Sequence, residues 1–240
     1  MVDAGLTGRG LMQSTEEWST RNEVLSSTLS DHINSNLRIQ TRRGLDIGCQ
    51  NGALTDKIAA KTSLIWVGVE PSLEGEGRSP GGLPLVHGWS NVLPFPDNHF
   101  DCILLANVYE HIDPQQYTAS LLEMRRVLTP GGVLIGQVPN PYFPIESHSR
   151  LPFMGWLPYR ARKIYWRLFS PAPWPQDFYV VTARDMIKRA TPLGWETLTL
   201  QNFVYPLGVI PKSVRWAARL FHRPMLRFMP WAWQFVLRKP

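Results

Sequence analysis

Hydrophobic residues in this 240-residue chain occur as short unbroken runs that alternate with stretches of helical spacing. The runs lie at Gly44–Gly48, Leu64–Glu70, Leu83–Val86, Phe100–Ala106 and Val133–Val138, then at Glu196–Val204 with partial alternation, and finally at 233–239. Runs this short and this apolar read as strands buried on both faces. Between them, Ala53–Lys61 carries Leu54, Ile58 and Ala59 on one helical face. Residues 114–128 carry Leu121, Leu122, Val127 and Leu128, and Thr129-Pro130-Gly131-Gly132 stops that helix. Thr182 is placed to cap a helix running to Ala190. An N-terminal helix over 14–38 is predicted from Ser14-Thr15-Glu16-Glu17, a cap followed by acids in the first turn, and from Trp18, Val24, Leu25, Leu29, Ile33 and Leu37. Strands alternating with helices predict an α/β fold in which helices cover both faces of a mostly parallel sheet.

Two segments break this rhythm. Residues 139–176 are rich in proline and aromatics, with one helical piece at about 158–169, and residues 213–229 are helical and basic. Charge divides in the same way. Residues 1–140 hold 10 Lys/Arg and 15 Asp/Glu, a net −5, whereas residues 141–240 hold 15 and 4, a net +11. Seven of the ten tryptophans also follow residue 140. A basic, aromatic half suits contact with an anionic partner such as phosphate, lipid head groups or nucleic acid. Two cysteines without a CxxC pattern do not make a disulfide scaffold. The first residues lack a basic stretch leading into an apolar run, and no run approaches the length of a spanning helix. A cytoplasmic protein, at most attached to a membrane surface, is expected.

Four motifs carry the candidate chemistry. Leu45-Asp46-Ile47-Gly48-Cys49-Gln50-Asn51-Gly52 runs from a strand into a helix, and its glycines allow a ligand to approach the backbone. Glu70 ends the next strand, where a carboxylate can accept both hydroxyls of a ribose. Leu93-Pro94-Phe95-Pro96-Asp97-Asn98-His99-Phe100-Asp101 leads into the strand followed by Asn107 and Glu110-His111. Glu123 to Gly132 closes the set with Arg125-Arg126-Val127-Leu128-Thr129-Pro130-Gly131-Gly132. In this order and at these intervals the motifs resemble the class I S-adenosylmethionine-dependent methyltransferases of the methyltransferase-11, or UbiE-like, group. The likeness is close over about residues 40–140 and looser at 177–200 and the final strand.

The resemblance implies a Rossmann-like, doubly wound sheet of seven strands with the last, 233–239, antiparallel. It implies one domain: an N-terminal helix in 1–40, a cofactor core in 41–140, substrate lids in 141–176 and 207–230, and the remaining core in 177–206 and 231–240. The cofactor is S-adenosylmethionine. Asp46 would orient the glycine loop beside the methionine amino group, and Gly48, Cys49 and Gly52 would line the cofactor. Glu70 would hold the ribose, Pro71 or Ser72 would touch the adenine, and Asn107 would lie near the methionine part or the methyl donor. Two positions depart from the pattern. Gln50 stands where the group has glycine, and its Cβ disfavours a positive φ. Gly88-Trp89-Ser90 stands where an acid receives the adenine amino group, so Trp89 would stack or pack there instead.

Methyl transfer from a sulfonium needs alignment, plus a base when the acceptor is a hydroxyl. His111, Glu146 and His148 are the base candidates. Arg160, Lys163 and Arg167 form one face of the helix near 158–169, with Ala161, Ile164, Tyr165 and Leu168 towards the other. Arg215, Arg219, Arg223 and Arg227 keep a four-residue step in the second basic segment. Such helices suit an anionic membrane surface or a pocket for a lipid-linked acceptor. The expected activity is methylation, at oxygen or carbon, of a small-molecule, lipid or glycan acceptor. RNA or protein methylation, and a non-catalytic binding protein on the same fold, are the alternatives. No recognisable RNA-binding module favours nucleic acid.

Overall fold

A computed structural model of the chain describes residues 15–37, 43–144, 151–170, 179–206 and 228–240. Helix α1 (Thr15–Asn36) opens it, followed by β1 (Arg43–Ile47), α2 (Ala53–Ala59) and β2 (Ile65–Glu70). Next come β3 (Gly77–Arg78), β4 (Pro84–His87), β5 (Phe100–Ala106), α3 (Tyr117–Val127) and β6 (Leu128–Pro139). Helices α4 (Tyr159–Phe169) and α5 (Ala183–Ala190) precede β7 (Glu196–Phe203) and β8 (Ala232–Arg238). The strands form one sheet in the order β3-β4-β2-β1-β5-β6-β8-β7.

β4, β2, β1, β5 and β6 run parallel, and β8 runs antiparallel between β6 and β7. The expected antiparallel last strand is therefore present. The sheet has eight strands rather than seven, because the two-residue β3 pairs antiparallel with the start of β4. β3 has no apolar run of its own and exists through that pairing. β6 also begins earlier than its apolar run. Leu128 pairs with Phe100, and the register then shifts across Thr129–Gly132 before Cys102 meets Val133. Gly131, at φ 77°, turns the chain through that irregularity.

Alternation along the strands divides the core. Leu45, Ile47, Ile103, Leu105, Leu134, Phe235 and Leu237 pack with α3 and α5 on one face. Trp66, Cys102, Leu104, Val133, Ile135 and Val236 pack with α1 and α2 on the other. Helix α1 contributes Leu25, Leu29 and Ile33 at four-residue steps. Its outer edge is tied to α2 and the turn after it, where Glu23 accepts from Lys57 at 2.8 Å and from Lys61 at 2.5 Å. The hydroxyl of Thr182 accepts from the Asp185 N–H and caps α5 as expected, and the Asp185 side chain completes a capping box. The helical piece near 158–169 is α4. The basic segment 213–229, apart from its last two residues, and the proposed cap at Ser14 lie outside the described residues.

The motif around Arg126 is structural. Its guanidinium donates to both oxygens of Glu123, to Asp97 Oδ1 at 2.7 Å, and to the carbonyls of Phe95 and Leu93. Glu123 also accepts the Leu93 N–H at 3.0 Å. The Arg126 hydrogen bonds hold the Glu123 carboxyl below its ordinary range. One planar side chain thus clamps the Leu93–Asp97 loop to α3 and sets where β5 starts. A lysine cannot reproduce this fork. Arg126→Lys should lower unfolding stability by about 2 kcal/mol, measured by denaturant titration. An unchanged midpoint would show that the clamp contributes nothing.

Candidate active site

Three parallel strands end side by side in the order β2, β1, β5, so the loops that follow them meet at one edge of the sheet, where open α/β folds bind ligands. Asp46 lies one residue before the end of β1 and is buried, and Thr55 of α2 donates to its Oδ2 at 2.5 Å. Burial pushes the Asp46 carboxyl up to about 7; the Thr55 hydroxyl opposes this rise, and the nearby Glu70 charge adds to it.

The loop after β1 is fastened to β2. The N–H groups of Gly48 and Cys49 both donate to the Val69 carbonyl, at 2.8 and 3.2 Å. The Gln50 N–H donates to Glu70 Oε2 at 2.9 Å. Residues 48, 50 and 52 all have positive φ, at 72°, 52° and 77°. The expectation that Gln50 would disfavour such a backbone is therefore corrected: Gln50 adopts the left-handed conformation despite its Cβ. That conformation costs about 1–2 kcal/mol, and the charge-assisted bond to Glu70 offsets it. Gly52 is needed for space as well as for φ, since a Cβ there would meet Ser79 Cβ at 2.5 Å. The Cys49 side chain is buried against Gly68, and burial pushes its thiol up, so this residue has only backbone to offer a ligand.

Glu70 is half-buried at the end of β2. Its Oε1 accepts the Ser72 N–H at 3.2 Å and the Ser72 hydroxyl at 2.8 Å, across Pro71. Trp89 follows β4, the neighbour of β2, two residues beyond the His87 that pairs with Glu70. Its indole is 59% exposed, and its backbone forms an isolated bridge with Val92. Trp89 is therefore exposed just after the strand beside β2 and is not absorbed into the core.

Asn107 leaves β5 at φ 57°. Its N–H donates to the Gln137 carbonyl at 2.8 Å, and its side-chain oxygen accepts from Gln137 Nε2 at 3.0 Å. His111 closes the one-turn 3-10 helix Tyr109–His111 and is half-buried. Glu146 and His148 lie outside the described residues. The site thus brings together Asp46, Gly48, Gly52, Glu70, Pro71, Asn107 and the backbone of Cys49. Sequence reasoning missed Gln137, the side-chain partner of Asn107. The available signal was a glutamine inside each of two otherwise apolar strands, Gln137 and Gln234.

The arrangement suits an amino-acid-bearing nucleoside. A buried acid lies just before the loop that follows β1, a second carboxylate ends β2 where a diol can be held, and an exposed tryptophan follows the neighbouring strand β4.

A family model described as "Methyltransferase domain" matches residues 18–200. Among curated proteins, the ubiquinone/menaquinone biosynthesis C-methyltransferase UbiE of Hahella chejuensis is 30% identical over 130 residues, covering 46% of this chain and 51% of that protein. The fatty-acid O-methyltransferase of Mycolicibacterium smegmatis is 29% identical over 119 residues, covering 47% of this chain and 42% of that protein. The chain spans about half the length of the curated relatives it matches. A solved SAM-dependent methyltransferase from Archaeoglobus fulgidus superposes with a TM-score of 0.59 at 17% identity, over 93% of this chain and 98% of that one, and establishes likeness of fold.

The raised carboxyl of Asp46 has a stability consequence. Its contribution is fully present below its ordinary value of 3.8 and is lost as pH rises towards about 7. The ligand-free wild type should lose on the order of a few kcal/mol across that interval through this one group. Asp46→Asn should flatten the profile, read from denaturation midpoints at a series of pH values. A variant profile parallel to the wild type would refute the assignment.

Proposed function

This chain belongs to the methyltransferase-domain family, and from that premise we propose that it transfers a methyl group from S-adenosylmethionine to oxygen or carbon of a small-molecule acceptor. The observation that carries the reading is that Glu70 accepts the Gln50 N–H from a loop held at positive φ at residues 48, 50 and 52, with Asp46 buried just before that loop. Asp46 would face the ammonium of the cofactor, Glu70 its ribose, and the backbone of 48–52 its methionine chain. Trp89 would cover the adenine. When bound, the cofactor supplies a methyl group on a sulfonium that leaves readily. The chain's own work is to align the acceptor, exclude water and, for a hydroxyl acceptor, take up a proton. His111, four residues beyond Asn107, is the proposed base, with Glu146 and His148 as the other candidates.

Calorimetric titration with S-adenosylhomocysteine tests the reading. Wild type should bind, and Glu70→Ala should bind about 10- to 100-fold more weakly, the range for losing hydrogen bonds to a charged group. Folded wild type that fails to bind would overturn the proposal. Binding without turnover on any acceptor would favour the non-catalytic alternative.

A lipidic acceptor met at an anionic membrane surface is the finer reading. The names of the relatives, a quinone-biosynthesis enzyme and a fatty-acid enzyme, support an apolar acceptor. Helix α4 supports the surface. Trp166 and Tyr165 pack inwards with Leu151 and Met154, while Ile164 and Leu168 are 60% and 69% exposed. Beside them Arg160, Lys163 and Arg167 are exposed, and no acid occurs from 147 to 176. Exposed aliphatics flanked by cations suit insertion at a head-group boundary. Among the described residues no helix is long and apolar enough to cross a membrane. The protein should sediment with phosphatidylglycerol vesicles and not with phosphatidylcholine vesicles, and Ile164→Ser/Leu168→Ser should lose at least half of the bound fraction. Equal sedimentation with both lipids, or with neither, would refute the surface.

A further inference from the structure

Beneath the middle of α1, between Arg21 and Thr28, the core turns polar. Gln137 of β6 and Gln234 of β8 are both buried and occupy the α1 face of their strands. Gln137 Nε2 donates to Asn107 Oδ1 at 3.0 Å and to Tyr205 Oη at 3.3 Å. Gln137 Oε1 accepts from Gln234 Nε2 at 3.3 Å, and that same nitrogen donates to Thr28 Oγ1 at 3.0 Å. Arg21 Nε donates to Tyr205 Oη at 3.2 Å, and its guanidinium lies over the Tyr205 ring at 5.5 Å.

The direction of this chain is fixed at its far end. The Thr28 hydroxyl has one proton, which the helix takes: it donates to the carbonyls of Val24 and Leu25, both at 3.2 Å. Thr28 Oγ1 can then only accept from Gln234, so the Gln234 atom facing it is nitrogen. That nitrogen makes the facing atom of Gln137 an oxygen, which turns the Gln137 amide nitrogen towards Asn107 and Tyr205. Asn107 must answer with its own oxygen, which leaves its Nδ2 with two N–H groups that meet no acceptor among the described residues. Tyr205 Oη already receives two donors, from Arg21 and Gln137. Its single proton therefore points away from both, again with no acceptor among the described residues, although Tyr205 is only 4% exposed.

We propose that Asn107 Nδ2–H and Tyr205 Oη–H form a donor pair, set in polarity from Thr28 through two buried glutamines, that receives an anionic or strongly polarised oxygen of the methyl acceptor. The inference deepens the methyltransferase reading and rests on it for the position of the cofactor. The cofactor's ribose and methionine groups belong to β2 and β1. Asn107 follows β5, and Gln137, which joins it to Tyr205, lies on β6, farther along the same edge of the sheet. The space past Asn107 is thus left for the acceptor. A pair of fixed donors on a single oxygen favours substrates whose reacting oxygen, or the oxygen conjugated to a reacting carbon, carries negative charge: phenolates, enolates and carboxylates. The Arg21 guanidinium behind Tyr205 strengthens that preference.

The probe is 4-nitrophenol, whose phenolate absorbs separately from its neutral form. It is titrated into the protein with and without saturating S-adenosylhomocysteine, at the pH where the free probe is half ionised. Wild type should bind the probe as phenolate, so the phenolate band grows on binding. Tyr205→Phe should weaken that binding about tenfold or more and leave the affinity for S-adenosylhomocysteine within about twofold, because Tyr205 does not touch the β1 and β2 loops. Thr28→Val, which keeps the side-chain shape and removes the polarity anchor, should reduce the phenolate preference, and Thr28→Ser should retain it. Binding of both probe forms alike, or equal phenolate binding by wild type and Tyr205→Phe, would overturn the donor pair. Failure of S-adenosylhomocysteine to bind would instead overturn the cofactor reading, and the titration without it still reads the pair.

Discussion

The site is organised by the hydrogen bond from the Gln50 N–H to the Glu70 carboxylate. β1 and β2 are parallel neighbours, so their ends emerge together, but parallel pairing alone does not decide how the loop after β1 leaves the sheet. The bond does so by holding a non-glycine residue at positive φ and fastening the loop to the end of β2. Everything proposed for the cofactor follows from that closure. It also constrains ligand entry. A carboxylate offers about four acceptor positions, and three are occupied by the Gln50 N–H, the Ser72 N–H and the Ser72 hydroxyl. A diol needs two, so the Ser72 hydroxyl is the group that must turn aside. The two backbone donors are fixed by the loop and stay.

Much of this architecture was readable along the chain. Strands buried on both faces leave near-continuous apolar runs, and β1, β2, β5 and β6 were visible for that reason. Glu70 stood out because it ends an apolar strand with a carboxylate that can hold a diol, and Asp46 because it sits in the glycine-rich motif that runs from strand into helix. Gln50 was misjudged through a local rule. Backbone preference argues against positive φ for glutamine, but a tertiary contact 20 residues away overrides it. β3 left no trace because two residues carry no periodicity. The early part of β6 was hidden by Thr-Pro-Gly-Gly, a sequence that stops a helix and, here, also starts a strand through a register shift. The Arg21–Tyr205 contact joins residues 184 apart, and no spacing along the chain signals it.

The buried glutamines broke the pattern in plain view, and their energetics explain why they are informative. Leucine at 137 and 234 would bury more apolar surface and remove four polar atoms from the interior, so stability alone does not account for amides there. A fully connected polar chain does what leucines cannot: it fixes which end of each amide faces which neighbour. Without Gln137, the Asn107 amide could rotate and present either a carbonyl or an amino group to the edge of the sheet, and the Tyr205 proton could turn back towards the core. With Gln137 in place, one threonine hydroxyl committed to a helix carbonyl dictates the polarity of a group on a different strand. The cost of burying the chain is met by its own hydrogen bonds, and what the fold gains is direction. A fixed direction is of use where something is bound in one orientation, and the chain of amides ends on Asn107 and Tyr205 at the strand ends, where the proposed donor pair lies.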